Sequence, residues 1–171
     1  MLCVLAKLDE TATQKLRGLQ QTAYRLAPAL RPFHLHGHVT VAVYVGEGED
    51  GFLRFCKALS ADMPAFDVAY KRLEVLQETS ILVASPEKAG ALEALHRHIA
   101  QVYDPALNRW TQSGYWLPHT TLAHDPDADL ERLCRMLSAV FTPFSAHVSH
   151  IEFSRITAAG YKIIDSVALR D

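Results

Sequence analysis

Apolar positions recur along the chain with two periods, one of two residues and one between three and four, and the switches between them mark out eleven elements. Residues 2–8 form an apolar run that predicts a first strand. Leu16, Leu19, Ala23, Leu26 and Leu30 then share one face at helical spacing, predicting a helix over 12–29 with Thr11 as N-cap, Gln14 as its capping-box partner and Pro28 near its end. The loop 31–37 leads to a β-branched strand over 38–45. After the Gly-rich turn 46–51, Phe52, Leu53, Phe55, Cys56 and Leu59 outline a second amphipathic helix. Residues 66–76 alternate as a strand whose period slips at Lys71-Arg72, the mark of a bulge, and 79–84 reads as its hairpin partner.

The second half repeats the plan. Ser85 is placed as an N-cap, with Pro86 at the first helical position and Glu87 beside the positive end of the dipole, for a helix whose stripe is Leu92, Leu95, Ile99 and Val102. The loop 104–114 precedes a strand over 116–123. Leu130, Leu133, Cys134, Leu137, Val140 and Phe141 give the strongest helical pattern of the chain, and strands over 144–156 and 161–169 close it, joined by the turn 157–160. The predicted fold class is α+β and bilobal: two pseudo-symmetric α/β halves with mainly antiparallel sheets facing a central cleft. Residues 1–171 read as one domain, with lobes of roughly 1–84 and 85–171 and exchange of strands between them left open.

Composition narrows the field. A chain of 171 residues can bury a substantial core. With 49% hydrophobic residues and 21% charged ones it has the make-up of a soluble globular protein. A net charge of −2 provides no global attraction to a polyanion, which argues against a protein that tracks long nucleic acid and for a small phosphate ligand or an RNA end. Cys3, Cys56 and Cys134 show no paired spacing and read as reduced core residues of a cytoplasmic protein. No apolar run reaches the length of a membrane span. The expectation is a monomer with no cofactor, no metal and no membrane partner.

The chemistry lies in a short repeat. His38-Val39-Thr40-Val41 and His119-Thr120-Thr121-Leu122 both spell His-x-Thr-apolar, 81 positions apart, each in a predicted strand. Side chains alternate along a strand, so His38 and Thr40 share one face, as do His119 and Thr121. If the halves face each other, two imidazoles and two hydroxyls converge on one small anion.

The paired motifs, with Pro118 before the second and the stretch Ser154, Gly160, Tyr161 near the C-terminus, resemble the two-histidine (2H) phosphoesterase superfamily, in particular its bacterial 2'-5' RNA ligase and 2',3'-cyclic phosphodiesterase branch. The resemblance implies His38 and His119 as catalytic residues, with His119 as base toward water and His38 as acid toward the leaving oxygen. Thr40 and Thr121 would hold the phosphate. The substrate would be a small cyclic phosphate, a nucleotide or an RNA terminus. Imidazole suits this work because its pKa near 6.5 lets one copy be neutral and the other protonated close to neutral pH, without a metal. Hydrolysis is favoured in water, so phosphodiesterase ranks above the reverse ligation. One position departs from the family: Arg often stands two residues after the second motif, where this chain has His124.

Phe33, Tyr115 and Trp116 flank the motifs and are candidates, with His124, for substrate contact, the aromatics by stacking a base. Lys71, Arg72, Arg109 and Arg155 could line the cleft for a phosphate but read first as scattered solvated charges, and His96, His98, His147 and His150 are assigned no role. Two rivals stay open. One is a protein of the same fold that binds nucleotides or RNA ends without turnover. The other is a metal hydrolase built on His34, His36 and His38, although no neighbouring carboxylate or cysteine completes that set.

Overall fold

The chain enters the fold through an apolar strand, β1 (Leu2–Leu8), and Asp9 ends it by opening the first helix. The structure, a computed structural model, describes residues 1–45, 48–60, 62–87, 90–102, 108–157 and 160–170. The helix α1 (Glu10–Leu26) leads to β2 (His38–Tyr44), α2 (Glu49–Ser60), β3 (Phe66–Val75) and β4 (Ile81–Pro86). The second half contains α3 (Gly90–Val102), a 3-10 turn at Arg109–Thr111, β5 (Thr120–His124), α4 (Leu130–Ser138), β6 (Phe144–Thr157) and β7 (Gly160–Ala168). The predicted element order is observed. The side chains of Phe55, Cys56, Leu59 and Val102, and parts of the loops 46–51, 104–114 and 157–160, lie outside the described residues.

All strand pairs are antiparallel and belong to one sheet, with the path β2-β1-β6-β3-β4-β5 and β7 beside β6. The 14-residue β6 is the hinge of this sheet. Val148 pairs with both Leu8 and Phe66, so β1 and β3 lie on opposite edges of β6. The end of β7 bridges to the start of β3 through Pro64 and Arg170, so these two strands follow each other along one edge. Two arms result, β2-β1-β6-β7 and β6-β3-β4-β5. Each combines strands from before and after residue 84, and each carries a motif strand at its outer end. Helices α1 and α4 pack on the second arm, α2 packs on the first, and α3 packs against β2 of one and β3 of the other.

Local chemistry moves several expected boundaries. The N-cap of α1 is Asp9 rather than Thr11: its carboxylate accepts from Ala12 N–H at 2.9 Å and from His147 N–H at 2.5 Å, which a hydroxyl could not match. Gln14 instead donates to Glu10 at 2.5 Å. Leu16, Ala23 and Leu30 are buried as expected, whereas Leu26 at the last turn is exposed. Ser85 and Pro86 do not open a helix. The apolar run of β4 carries through them to pair with Arg72 and Tyr70, Glu87 faces Lys71 at 3.8 Å, and α3 starts at Gly90. The bulge expected at Lys71-Arg72 is present between Tyr70 and Arg72. The strand expected from Trp116 begins only at Thr120, because Pro118 has no N–H to donate to a ladder. Val140 and Phe141 lie beyond the end of α4, and Val140 is exposed. Cys3 and Cys134 are buried free thiols. Among the described residues, no helix is long and apolar enough to cross a membrane.

Candidate active site

The two motif strands stand at opposite ends of the sheet path, yet the curl of the sheet joins them. Strand β2 has a partner on one edge only, so its outward carbonyls at His38 and Thr40 need donors. Thr120 Oγ1 donates to the His38 carbonyl at 2.8 Å, and Trp116 Nε1 to the Thr40 carbonyl at 2.9 Å. Thr120 spends its only proton on His38, so the buried Tyr70 hydroxyl is the donor in the 2.7 Å contact between Tyr70 and Thr120. Burial of Tyr70 raises the pKa of its phenol, which keeps that proton in place. Trp116 is 1% exposed and stacks on His96 with centroids 4.0 Å apart and planes 2° from parallel. His96 Nε2–H in turn donates to the Thr111 carbonyl at 3.0 Å.

Each motif strand bulges at the same place. Strand β1 pairs Val4 with Ala42 but Leu5 with Thr40, leaving Val41 as the extra residue. Strand β4 pairs Leu82 with Ala123 but Val83 with Thr121, leaving Leu122. Both are the fourth residue of His-x-Thr-apolar. A bulge shifts the two-residue period by one, so the position five after each histidine returns to the face of the histidine and threonine. In β2 that position is Val43, which lines the cleft with Thr40. In β5 it is His124, exposed at the strand end. The same alternation leaves His38, Thr40, His119 and Thr121 half-buried while Val39, Val41, Thr120 and Leu122 are buried.

A cleft of about 790 Å³ opens over this junction. Thr40, Tyr115, Trp116 and His119 line it together with Glu74, Glu78 and Arg109. His38 and Thr121 sit one pleat along from lining residues, whereas Phe33 and His124 are not part of the lining. Phe33 is tied down over α1, its N–H donating to Tyr24 Oη at 2.7 Å and its carbonyl accepting from Gln20 at 2.9 Å. Trp116 is fully buried with His96 over one ring face, so it offers the cleft little surface. Tyr115, 54% exposed, has the Arg109 guanidinium over its ring and still presents much of its surface to the cleft.

The two histidines differ in their surroundings. His119 Nδ1–H donates to the Leu117 carbonyl at 2.8 Å, which leaves the lone pair on Nε2. Burial lowers its pKa, opposed by that hydrogen bond and by the Glu74 carboxylate. His38 is crowded by His36 at 5.7 Å and by Tyr161 at 6.0 Å, with its ring 7° from parallel to the tyrosine. Its Nδ1 is buried without a hydrogen-bond partner. Burial first, then the charges of His36, Lys7 and His119, pushes its pKa down to about 3. Lys7 is its cross-strand neighbour and donates to the His36 carbonyl at 2.9 Å. Gly37, between the two histidines, has φ +63° and passes so close to Thr13 that any Cβ would collide with that side chain.

These shifts predict acid sensitivity. His38 in the unfolded chain titrates near the ordinary 6.5 and in the folded one near 3, so between those values the unfolded chain binds more protons. The stabilising contribution is therefore complete above pH 6.5 and is lost as pH falls toward 3, at up to about 1.4 kcal/mol per pH unit. Urea unfolding from pH 7 to 4 should show a shallower acid decline in His38→Gln than in wild type. Equal slopes would remove His38 as the cause.

Sequence reasoning assigns no role to Lys7, Glu74, His96 or Thr120, places His36 only in the rival metal set, and offers Arg109 for phosphate only second to a solvated charge. Of the first four, Thr120 alone carries a local signal, as a hydroxyl in the x position of a motif whose first copy has Val39. Among the described residues, no group of three or more His, Cys, Asp or Glu is placed to hold a metal ion; His34, His36 and His38 lie ring against ring instead.

The chain belongs to the 2'-5' RNA ligase superfamily of two-histidine phosphoesterases, whose profile matches residues 7–159. Its fold is that of TT0787 from Thermus thermophilus, 18% identical with a TM-score of 0.70 over 99% of this chain and 97% of that one. E. coli LigT in complex with 3'-AMP is 14% identical with a TM-score of 0.68, over 99% and 97% of the two chains. LigT in complex with NADP+ is 17% identical with a TM-score of 0.70, over 99% and 98%. At such identities the likeness carries the fold alone. No curated protein is significantly similar in sequence.

Proposed function

We propose that this protein is a metal-independent cyclic phosphodiesterase that opens the 2',3'-cyclic phosphate of a nucleoside or RNA end, with ligation as the reverse reaction. The observation that carries the reading is the tie between the motif strands, in which Thr120 bonds the His38 carbonyl and Trp116 the Thr40 carbonyl, so that the two His-x-Thr motifs meet at one cleft. In this reading His119 Nε2 takes a proton from water as the water oxygen bonds to phosphorus. The bond from phosphorus to one sugar oxygen breaks, and His38 gives that oxygen a proton. Thr40 and Thr121 hold the non-bridging oxygens, and no covalent intermediate forms. The hydrogen bond of His119 to Leu117 supports its role as base. His38 gains its proton as the phosphate anion arrives, because a negative charge beside the ring favours the imidazolium over the neutral form.

Residues 1–171 act as one unit in this reading, since each arm of the sheet needs strands from both halves of the chain. Tyr115 is its base-stacking residue, and His124, outside the cleft lining, does not replace the family's arginine. Free buried thiols suit a reduced, cytoplasmic monomer. The complexes of LigT with 3'-AMP, NADP+, ATP and phosphate agree with a small nucleotide as ligand. The test is hydrolysis of the four nucleoside 2',3'-cyclic phosphates in the presence of chelator, from pH 5 to 9. Turnover with a bell-shaped profile of kcat is expected, since His38 takes up its proton in the complex. No turnover of any of the four, or turnover only on adding zinc, would overturn the assignment.

A further inference from the structure

Among the described residues the cleft has one unpaired cation, and it stands at the mouth. Arg109 is the only Lys or Arg of the described lining, facing walls that carry Glu74 and Glu78. No carboxylate of the described residues lies within ion-pair distance of Arg109, whereas Arg72, outside the cleft lining, lies 3.3 Å from Glu74. The guanidinium of Arg109 lies over two rings, 5.3 Å from the centroid of Trp110 and 5.4 Å from that of Tyr115. Ring contacts of this kind hold a guanidinium through its flat faces and leave its edge N–H groups to grip an anion in a fork.

The turn that presents Arg109 is built before any ligand arrives. Asn108 Oδ1 accepts from Trp110 N–H at 3.0 Å, and buried Thr111 donates its N–H to the Asn108 carbonyl at 3.1 Å. Val43 N–H donates to Thr111 Oγ1 at 3.3 Å, tying the turn to β2. Gly114, at φ +92°, lets the chain reverse so that Trp116 reaches the floor. Between Arg109 and Trp116 the segment thus runs from mouth to floor: Trp110 and Tyr115 are 55% and 54% exposed, and Trp116 is 1% exposed beside Thr40. The scissile phosphate belongs at the floor with Thr40 and His119, so the arginine at the mouth meets a different anion. A cleft of about 790 Å³ has room for more than a cyclic phosphate and its sugar.

We propose that Arg109, held between Trp110 and Tyr115, binds a second phosphate of the substrate, so that the preferred substrate class is a 2',3'-cyclic phosphate whose nucleoside also carries a phosphate at its 5' oxygen, as at the end of an RNA. This inference rests on the phosphodiesterase reading for the floor of the cleft. The specificity residue comes from the turn before the second motif and supplies the cation that β5 lacks at His124.

Calorimetric titration with adenosine 3',5'-bisphosphate and adenosine 3'-monophosphate tests it without requiring turnover. Wild type should bind the bisphosphate about tenfold or more tightly at low salt, and the ratio should shrink as salt screens the exposed guanidinium. In Arg109→Gln the ratio should fall toward one, and in Arg109→Lys it should lie between, since an ammonium keeps the charge and loses the fork. Arg72→Gln should keep the wild-type ratio. Equal affinities in wild type, or a preference that survives Arg109→Gln, would overturn the second-phosphate site while the floor assignment stands. Binding of neither nucleotide would overturn both.

Discussion

Replacing either His38 or His119 by alanine should lower kcat/KM for nucleoside 2',3'-cyclic phosphates by about 10²- to 10⁴-fold, the range for loss of one general acid or base. Because the two act in one step, the double variant should fall little further than the worse single one. The pH profile of kcat, which reports the bound complex where His38 holds its proton, separates their roles. His119→Ala should remove the acidic limb, where the base becomes protonated, and His38→Ala the basic limb, where the acid loses its proton. Folding should survive both changes, since the rings are half-buried and the Nδ1 of His38 has no partner to lose. Chromatographic assay of product over pH 5 to 9 reads all of this. Activity retained within a few-fold in both single variants would leave the paired-histidine chemistry without support.

Trp116→Ala should be the most destabilising single change near the site, at about 3–5 kcal/mol, the usual cost of removing a large buried aromatic side chain. The indole fills the junction of the arms, stacks on His96 and satisfies the Thr40 carbonyl of an edge strand. Trp116→Phe retains a ring against His96 and loses the donor, so it should cost about 1–3 kcal/mol, the penalty for a buried group left unmade. It should also lower kcat, because Thr40 is then no longer held opposite His119. Urea unfolding gives the stabilities and steady-state kinetics the second effect. If Trp116→Phe kept full activity while Trp116→Ala unfolded, the tie would matter for folding and not for the placement of Thr40.

Much of this was legible in the residues themselves. The order of strands and helices followed from periodicity, because burial on one face imposes a two-residue or near-four-residue repeat whatever the partner. The pairing of each histidine with its threonine followed from the same geometry, and so did the bulge in β3. Boundaries went astray where a side chain outcompeted the pattern: Asp9 took the cap from Thr11, and β4 kept Ser85 and Pro86 that a helix start would have used.

What the sequence determined by itself was the two motifs, their faces, the α+β order of elements and the absence of any global charge that would draw a polyanion, since each depends on neighbours along the chain. Tertiary structure alone decided that β2 and β5, at opposite ends of the sheet path, meet through Trp116 and Thr120, and that a bulge in each returns Val43 and His124 to the motif face. It alone buried His38 beside His36, Lys7 and Tyr161, and left Arg109 at the mouth of the cleft between two rings. Desolvation and ring contact depend on which distant segments come together in space, and periodicity along one strand or helix holds no record of that.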